Sequence, residues 1–153
     1  MSVMESQTKI QDILVALDFS AHSAAAEDYA IDLARRYDAA LELVYVYYSI
    51  TYALPEGYVL VTPDQLGEIL SRFRAQLDAA KQRALDAGVA RVQASLLQGD
   101  PAHEIVQRAA ERPHDMIVMG TKGRTGLPRV VLGSVAAKVV RSASCPVLTV
   151  RAE

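Results

Sequence analysis

The chain has 153 residues, a formal net charge of −2 at neutral pH and a hydrophobic fraction of 51%. That length fits one domain, 1–153, with a single substantial core. The near-neutral balance gives no global field for nucleic acid or an anionic membrane, and no window approaches the roughly 18 apolar residues of a spanning helix. Neither class of partner is expected. The lone Cys145 cannot form an internal disulfide, and the opening MSVMESQTKIQD carries acidic residues instead of a continuous apolar run, so the expectation is a cytoplasmic protein.

Taken in chain order, Ile10 to Leu17 reads as a strand whose core, Ile13 to Leu17, is continuously apolar, as in strands buried on both faces of a parallel sheet. Asp18-Phe19-Ser20 ends it, and Ser20 caps a helix to Tyr37. Leu41 to Tyr47 is a second strand, rich in β-branched and aromatic residues. Ser49 to Val61, broken by Pro55 and Gly57, reads as irregular, and Tyr45, Tyr47, Tyr48 and Tyr52 are expected to wall the core and this loop. Thr62, Pro63 and Gln65 spell a capping box with proline in the first turn, starting a helix to about Ala87 that Gly88 stops.

Val89 to Gln98 is the third strand, and Asp100-Pro101 caps a helix to Glu111. Asp115 to Met119 is the fourth strand, Ser134 to Arg141 the fourth helix and Pro146 to Arg151 the last strand. Strand and helix alternate throughout, which predicts a doubly wound parallel sheet with right-handed crossovers. Ligands of such sheets bind beyond the carboxyl ends of the strands, where strand order reverses. Asp18 and the segment after Met119 both start at such ends.

That second segment, MGTKGRTGLPRVVLGS, sets Gly120, Gly123 and Gly133 at fixed offsets, with Ser134 directly behind. Glycines after a strand, closed by Gly-Ser at a helix start, can surround phosphates with backbone N–H groups. It is not a Walker A loop: the positions that would need the second glycine hold Thr125 and Pro128, and no Lys-Ser/Thr pair follows. Nor is it a dinucleotide fingerprint, because the turn after the first strand has no glycine. From Lys122 to Arg141 the chain carries Lys122, Arg124, Arg129, Lys138 and Arg141 and no acid, a solvated basic face that would also attract an anion.

The spacing G-xx-G-x9-G-[ST] resembles the ATP-binding signature of the universal stress protein family. The likeness covers nearly the whole chain, through ILVALDFS, GDPAHEIV, DMIVMGTKGRTGL and LGSVAAKVVRSASCPVLTVR. It implies an α/β, doubly wound five-stranded parallel sheet of order 3-2-1-4-5 with helices on both faces, of the adenine nucleotide alpha hydrolase-like type. Carried onto matching positions, it implies that Asp18 hydrogen-bonds the ribose or the adenine edge, with Ala16 and Leu17 beside the base. Val46 would offer backbone groups to adenine. Gly120, Gly123, Gly133 and Ser134 would line the phosphates, Val135 would contribute an N–H in the same turn, and Met119 would belong to the same nucleotide site. From the basic run, Lys122 or Arg124 is the candidate assisting cation. Ala16 stands where ATP-binding members often carry proline.

The implied cofactor is ATP, with magnesium coordinated mainly by phosphate oxygens and water, since no carboxylate in the glycine loop can ligate it. The implied function is that of a regulatory stress-response protein, a homodimer pairing through the apolar edge strand 146–151 and switched by its nucleotide. Two alternatives stand beside it: a slow ATPase or phosphoryl transferase, for which no base–nucleophile pair is identifiable, and an interaction module that binds no nucleotide. No catalytic residue and no protein metal ligand is expected; His22, His103 and His114 lack paired ligand spacing.

Overall fold

A computed structural model of the chain describes residues 9–48, 51–54, 57–122 and 132–152, with the backbone alone described for 51–54 and 57–60. Its elements are β1 (Asp12–Leu17), α1 (Ala21–Tyr37), β2 (Ala40–Tyr47), β3 (Thr51–Leu54), β4 (Gly57–Leu60), α2 (Pro63–Asp86), β5 (Val92–Gln98), α3 (Pro101–Glu111), β6 (Met116–Gly120), α4 (Ser134–Ser142) and β7 (Val147–Val150). The five long-range strands form one parallel sheet of order β5-β2-β1-β6-β7, which is the predicted 3-2-1-4-5 arrangement. β1 lies at the centre and is buried on both faces, which explains its unbroken apolar run.

Side chains leave a strand alternately to opposite faces, and that alternation divides the core in two. Ile13, Val15, Leu17, Leu41, Leu43 and Val118 pack against alanines of α1 (Ala26, Ala30, Ala34) and α2 (Ala80, Ala84). Leu14, Ala16, Val44, Val46, Ile117 and Met119 pack on the other face against Ala102, Ile105 and Ala109 of α3 and Ala136 and Val139 of α4. Alanine at the helix contacts lets the helices approach the sheet closely.

The helix starts follow the predicted chemistry. Ser20 Oγ accepts from Ser23 N–H at 3.2 Å, Asp100 Oδ2 accepts from His103 N–H at 3.1 Å, and Thr62 and Gln65 form a reciprocal capping box. Gly88 takes φ +103°, a left-handed conformation that ends α2 without a Cβ penalty.

The segment expected to be irregular instead contains an antiparallel hairpin, with Thr51 opposite Leu60 and Leu54 opposite Gly57. Its strands are four residues each, and it forms a two-stranded sheet of its own. Of the tyrosines, Tyr45 and Tyr47 face Phe73 of α2 with ring centroids 4.8 and 5.9 Å away, whereas Tyr48 is exposed and the Tyr52 side chain lies outside the described residues. Strand boundaries are also tighter than expected at the starts of β1 and β5 and at both ends of β7.

An unpredicted polar cluster sits on the α3 face, toward the amino ends of the strands. Glu42 of β2 is buried, and its Oε1 accepts from Ser95 Oγ at 2.8 Å and Arg108 Nε at 2.8 Å. His114 Nε2 lies 2.9 Å from Glu42 Oε2, and its Nδ1 lies 2.7 Å from the Arg112 carbonyl oxygen. Two acceptors leave the imidazole only the role of double donor, so it is the imidazolium. Burial alone would raise the Glu42 carboxyl, but hydrogen bonds from His114, Arg108 and Ser95 and the Arg108 charge outweigh it and hold it at about 2. Burial opposes the charge on His114, and the Glu42 carboxylate overcomes it and raises the imidazole above its ordinary value.

Candidate functional site

β1 feeds α1 and β2 to one side while β6 feeds α4 and β7 to the other, so the topological switch point lies between β1 and β6. A cavity of about 340 Å³ opens there, beyond the carboxyl ends of the strands. That volume falls in the range of about 300–1,000 Å³ common for small-molecule sites.

Its floor is built by register. Ala16 lies between Val44 of β2 and Met119 of β6, and all of them, with Val46, belong to the α3/α4 half of the core. Pro101 and Ile105 of α3 close the side beyond β2. This half of the cavity is apolar and suits a flat aromatic base. The polar half is supplied by Asp18 and Ser23 after β1, by Gly120, Thr121 and Lys122 after β6, and by Gly133, Ser134 and Val135 at the start of α4.

The turn after β1 is conformationally demanding. Phe19 takes φ +61°, the left-handed region, where an L-residue is strained by about 1–2 kcal/mol. Its ring lies 4.9 Å from that of Tyr45, and aromatic contacts of this kind offset about 0.5–1.5 kcal/mol beyond burial. Asp18 Oδ1 accepts the Ser20 N–H at 2.9 Å while the residue faces the cavity, so the turn-forming and ligand-facing roles coexist.

At the other rim, Gly120 does not take positive φ. A Cβ there would stand 2.8 Å from His22 Cβ and 2.9 Å from the His22 carbonyl carbon. Glycine is required by the close approach of β6 to α1, a different reason from a left-handed turn. The start of α4 falls where expected, with Ser134 as the first helical residue; Gly133 is the cap, with φ −60° and ψ 160° and no side-chain hydrogen bond. A helix start without a side-chain cap leaves its first N–H groups to water or a ligand. Those groups sit on the cavity wall, where the helix dipole favours an anion.

Ala16, Leu17, Asp18, Val46, Met119, Gly120, Gly133, Ser134, Val135 and Lys122, gathered from distant parts of the sequence, thus line one cavity. Gly123 and Arg124 lie outside the described residues. Ser23, Thr121, Pro101 and Ile105 were not singled out from sequence. Ile105 carried a usable signal, as the apolar residue on the sheet-facing side of α3, while the two hydroxyl residues carried none. Among the described residues, no group of three or more His, Cys, Asp or Glu could hold a metal ion, and no helix is long and apolar enough to cross a membrane. Cys145 is half-buried beside the α3/α4 core, and burial together with the Asp115 charge pushes its thiol up, away from reactivity.

Comparison with known proteins was consistent with this architecture. The family model described as the universal stress protein family matches residues 9–151. A universal stress protein of Methanocaldococcus jannaschii is 36% identical over 151 residues, covering 97% of this chain and 86% of that protein. Among solved structures, universal stress protein UspA from Lactobacillus plantarum superposes with a TM-score of 0.79 at 28% identity, over 94% of this chain and 99% of the other. A universal stress protein solved in complex with cAMP superposes with a TM-score of 0.71 at 27% identity, over 95% of this chain and 99% of the other.

Proposed function

Since the chain belongs to the universal stress protein family, we propose that its cavity binds an adenine nucleotide, with ATP as the foremost candidate. The observation that carries this reading is the α4 helix start, which presents uncapped N–H groups to a cavity whose opposite half is apolar. The base lies against Ala16, Leu17 and Val46, with Asp18 at its edge or the ribose. Met119 adds to the apolar floor, and the phosphates lie along Gly120, Gly123, Gly133, Ser134 and Val135, with Lys122 or Arg124 assisting. A related structure in complex with cAMP lends support to an adenine ligand. Magnesium, where present, is held by phosphate oxygens and water.

In this reading the nucleotide is held and not spent: Asp18 is the one acid among the described residues lining the cavity, and its Oδ1 is engaged by the turn. The bound nucleotide biases the conformation of a cytoplasmic homodimer joined through the open edge of β7.

Isothermal titration with ATP, AMP, cAMP and adenosine tests the proposal. Saturable binding of at least one adenine nucleotide is expected; no heat with any of them at millimolar concentration overturns it. Ser134→Glu separates binding from folding. A carboxylate in the first helical turn stabilises α4 by about 0.3–1 kcal/mol, yet it occupies the phosphate position with like charge. The melting temperature should hold or rise while ATP binding is lost and adenosine binding survives.

A further inference from the structure

The polar wall of the cavity carries two hydroxyl residues that the glycine pattern does not include, Ser23 and Thr121, and their states are opposite. Ser23 Oγ donates to the Ser20 carbonyl at 3.1 Å and is tied into the first turn of α1. Thr121 Oγ1 is sealed from solvent and has no hydrogen-bond partner among the described residues. Its backbone, by contrast, is fully engaged. The Thr121 N–H donates to the Val150 carbonyl at 2.9 Å, and its own carbonyl accepts from the Gly133 N–H at 2.6 Å. Buried hydroxyls are nearly always satisfied in native structures, so an orphan on a cavity wall needs a reason. A partner that arrives with a ligand is one.

We infer that Thr121 is a phosphate-positioning residue: when ligand binds, its hydroxyl donates to a phosphate oxygen lying between Gly120 and the start of α4. This rests on the reading of the cavity as a nucleotide site and adds to it a contact that the glycine spacing does not specify. Phosphate is favoured over base or sugar by position. The Gly133–Thr121 bond holds Thr121 against the helix cap, where N–H groups and dipole concentrate positive potential. The apolar base wall, Val44, Val46 and Ile105, is on the β2 side, with β1 between. A threonine side chain turns among staggered wells about 120° apart, so a change of χ1 alone is enough to re-aim the oxygen toward an arriving phosphate. The backbone, pinned on both sides, does not need to move.

Calorimetric titration of Thr121→Val and Thr121→Ser with ATP, AMP and adenosine, alongside thermal melts without ligand, tests the assignment. Valine keeps the shape and removes the hydroxyl. It should weaken ATP and AMP by about 10–100-fold, the range for a hydrogen bond to a charged group, and leave adenosine unchanged. Serine should stay within about threefold of wild type. Without ligand the valine variant should melt at or above the wild-type temperature, because it removes an unsatisfied buried group. Wild-type affinity for ATP in the valine variant, an equal loss for adenosine, or a lowered ligand-free melting temperature overturns the inference alone. A wild-type protein that binds no adenine nucleotide overturns it together with the reading of the cavity.

Discussion

A Cβ added at Gly120 would lie under 3.0 Å from both the side chain and the backbone of His22. The carbonyl carbon belongs to α1 itself, so no rotamer change relieves the contact. His22 is also held from the far side, where its Nδ1 accepts the Ala152 N–H at 2.9 Å. Gly120→Ala must therefore push the end of β6 away from α1. Overpacking of this kind costs about 1–3 kcal/mol, and it displaces the rim from which Thr121 and Lys122 reach the cavity. Denaturant titration should show that loss, together with weakened nucleotide binding; a variant of wild-type stability would mean that β6 and α1 are not in contact as described. Sequence spacing marked Gly120 as a phosphate-lining position, but the steric need for glycine beside His22 was not legible in it, because the partner lies far away in the chain. Thr121 is the converse. Its orphaned oxygen is a property of packing, with no trace in residue type or spacing.

At the scale of elements, β2, α3 and the start of β6 are joined by the Glu42–His114–Arg108 cluster. The imidazole is raised in the folded protein, so its contribution is fully present below the ordinary histidine value of 6.5 and is lost as pH rises through the folded value. The carboxyl is lowered to about 2 from 4.5, so its contribution is present above 4.5 and lost as pH falls toward 2. Stability should therefore be greatest between about pH 4.5 and 6.5 from this cluster and decline on both sides. Thermal melts across pH should show the alkaline limb in wild type and not in His114→Gln. Glu42→Gln leaves the cations uncompensated and should cost about 3–5 kcal/mol.

Legibility at this scale follows sequence separation. The caps at Thr62–Gln65 and Asp100–His103 span three residues and were readable, as was the strand–helix alternation that predicts the sheet. Glu42 and Arg108 stand 66 residues apart, and no spacing rule joins them. The one signal was an acid on the α3 face of an otherwise apolar strand, which demands a partner without naming it. The β3–β4 hairpin escaped because its strands are short and its Pro55 and Gly57 read as breakers.

For the whole molecule, the order β5-β2-β1-β6-β7 leaves β7 with one unpaired edge among the described residues. The Pro146 and Val150 carbonyls accept from Ile117 and Thr121 of the β6 segment. Backbone groups alternate direction along a strand, so Leu148 also faces β6, while Val147 and Thr149 point their N–H and C=O groups outward. Thr149→Pro thus removes an outward donor and leaves the bonds to β6 in place. In sedimentation equilibrium, the proposed wild-type dimer should become a monomer in this variant. A dimer that persists would place the interface elsewhere.

The sheet also acts as a partition. Most of the apolar cavity wall comes from the α3/α4 half of the core, while α1 and α2 pack largely on the other half. Substitutions that tighten the α2 contact, at Leu77, Ala80 or Ala84, are then free to raise thermal tolerance without retuning the ligand. Changes at Ala16, Val44 or Ile105 must alter both at once. A lineage descending from this chain could drift in robustness through one layer and in ligand preference through the other, with β1 as the strand on which the two histories meet.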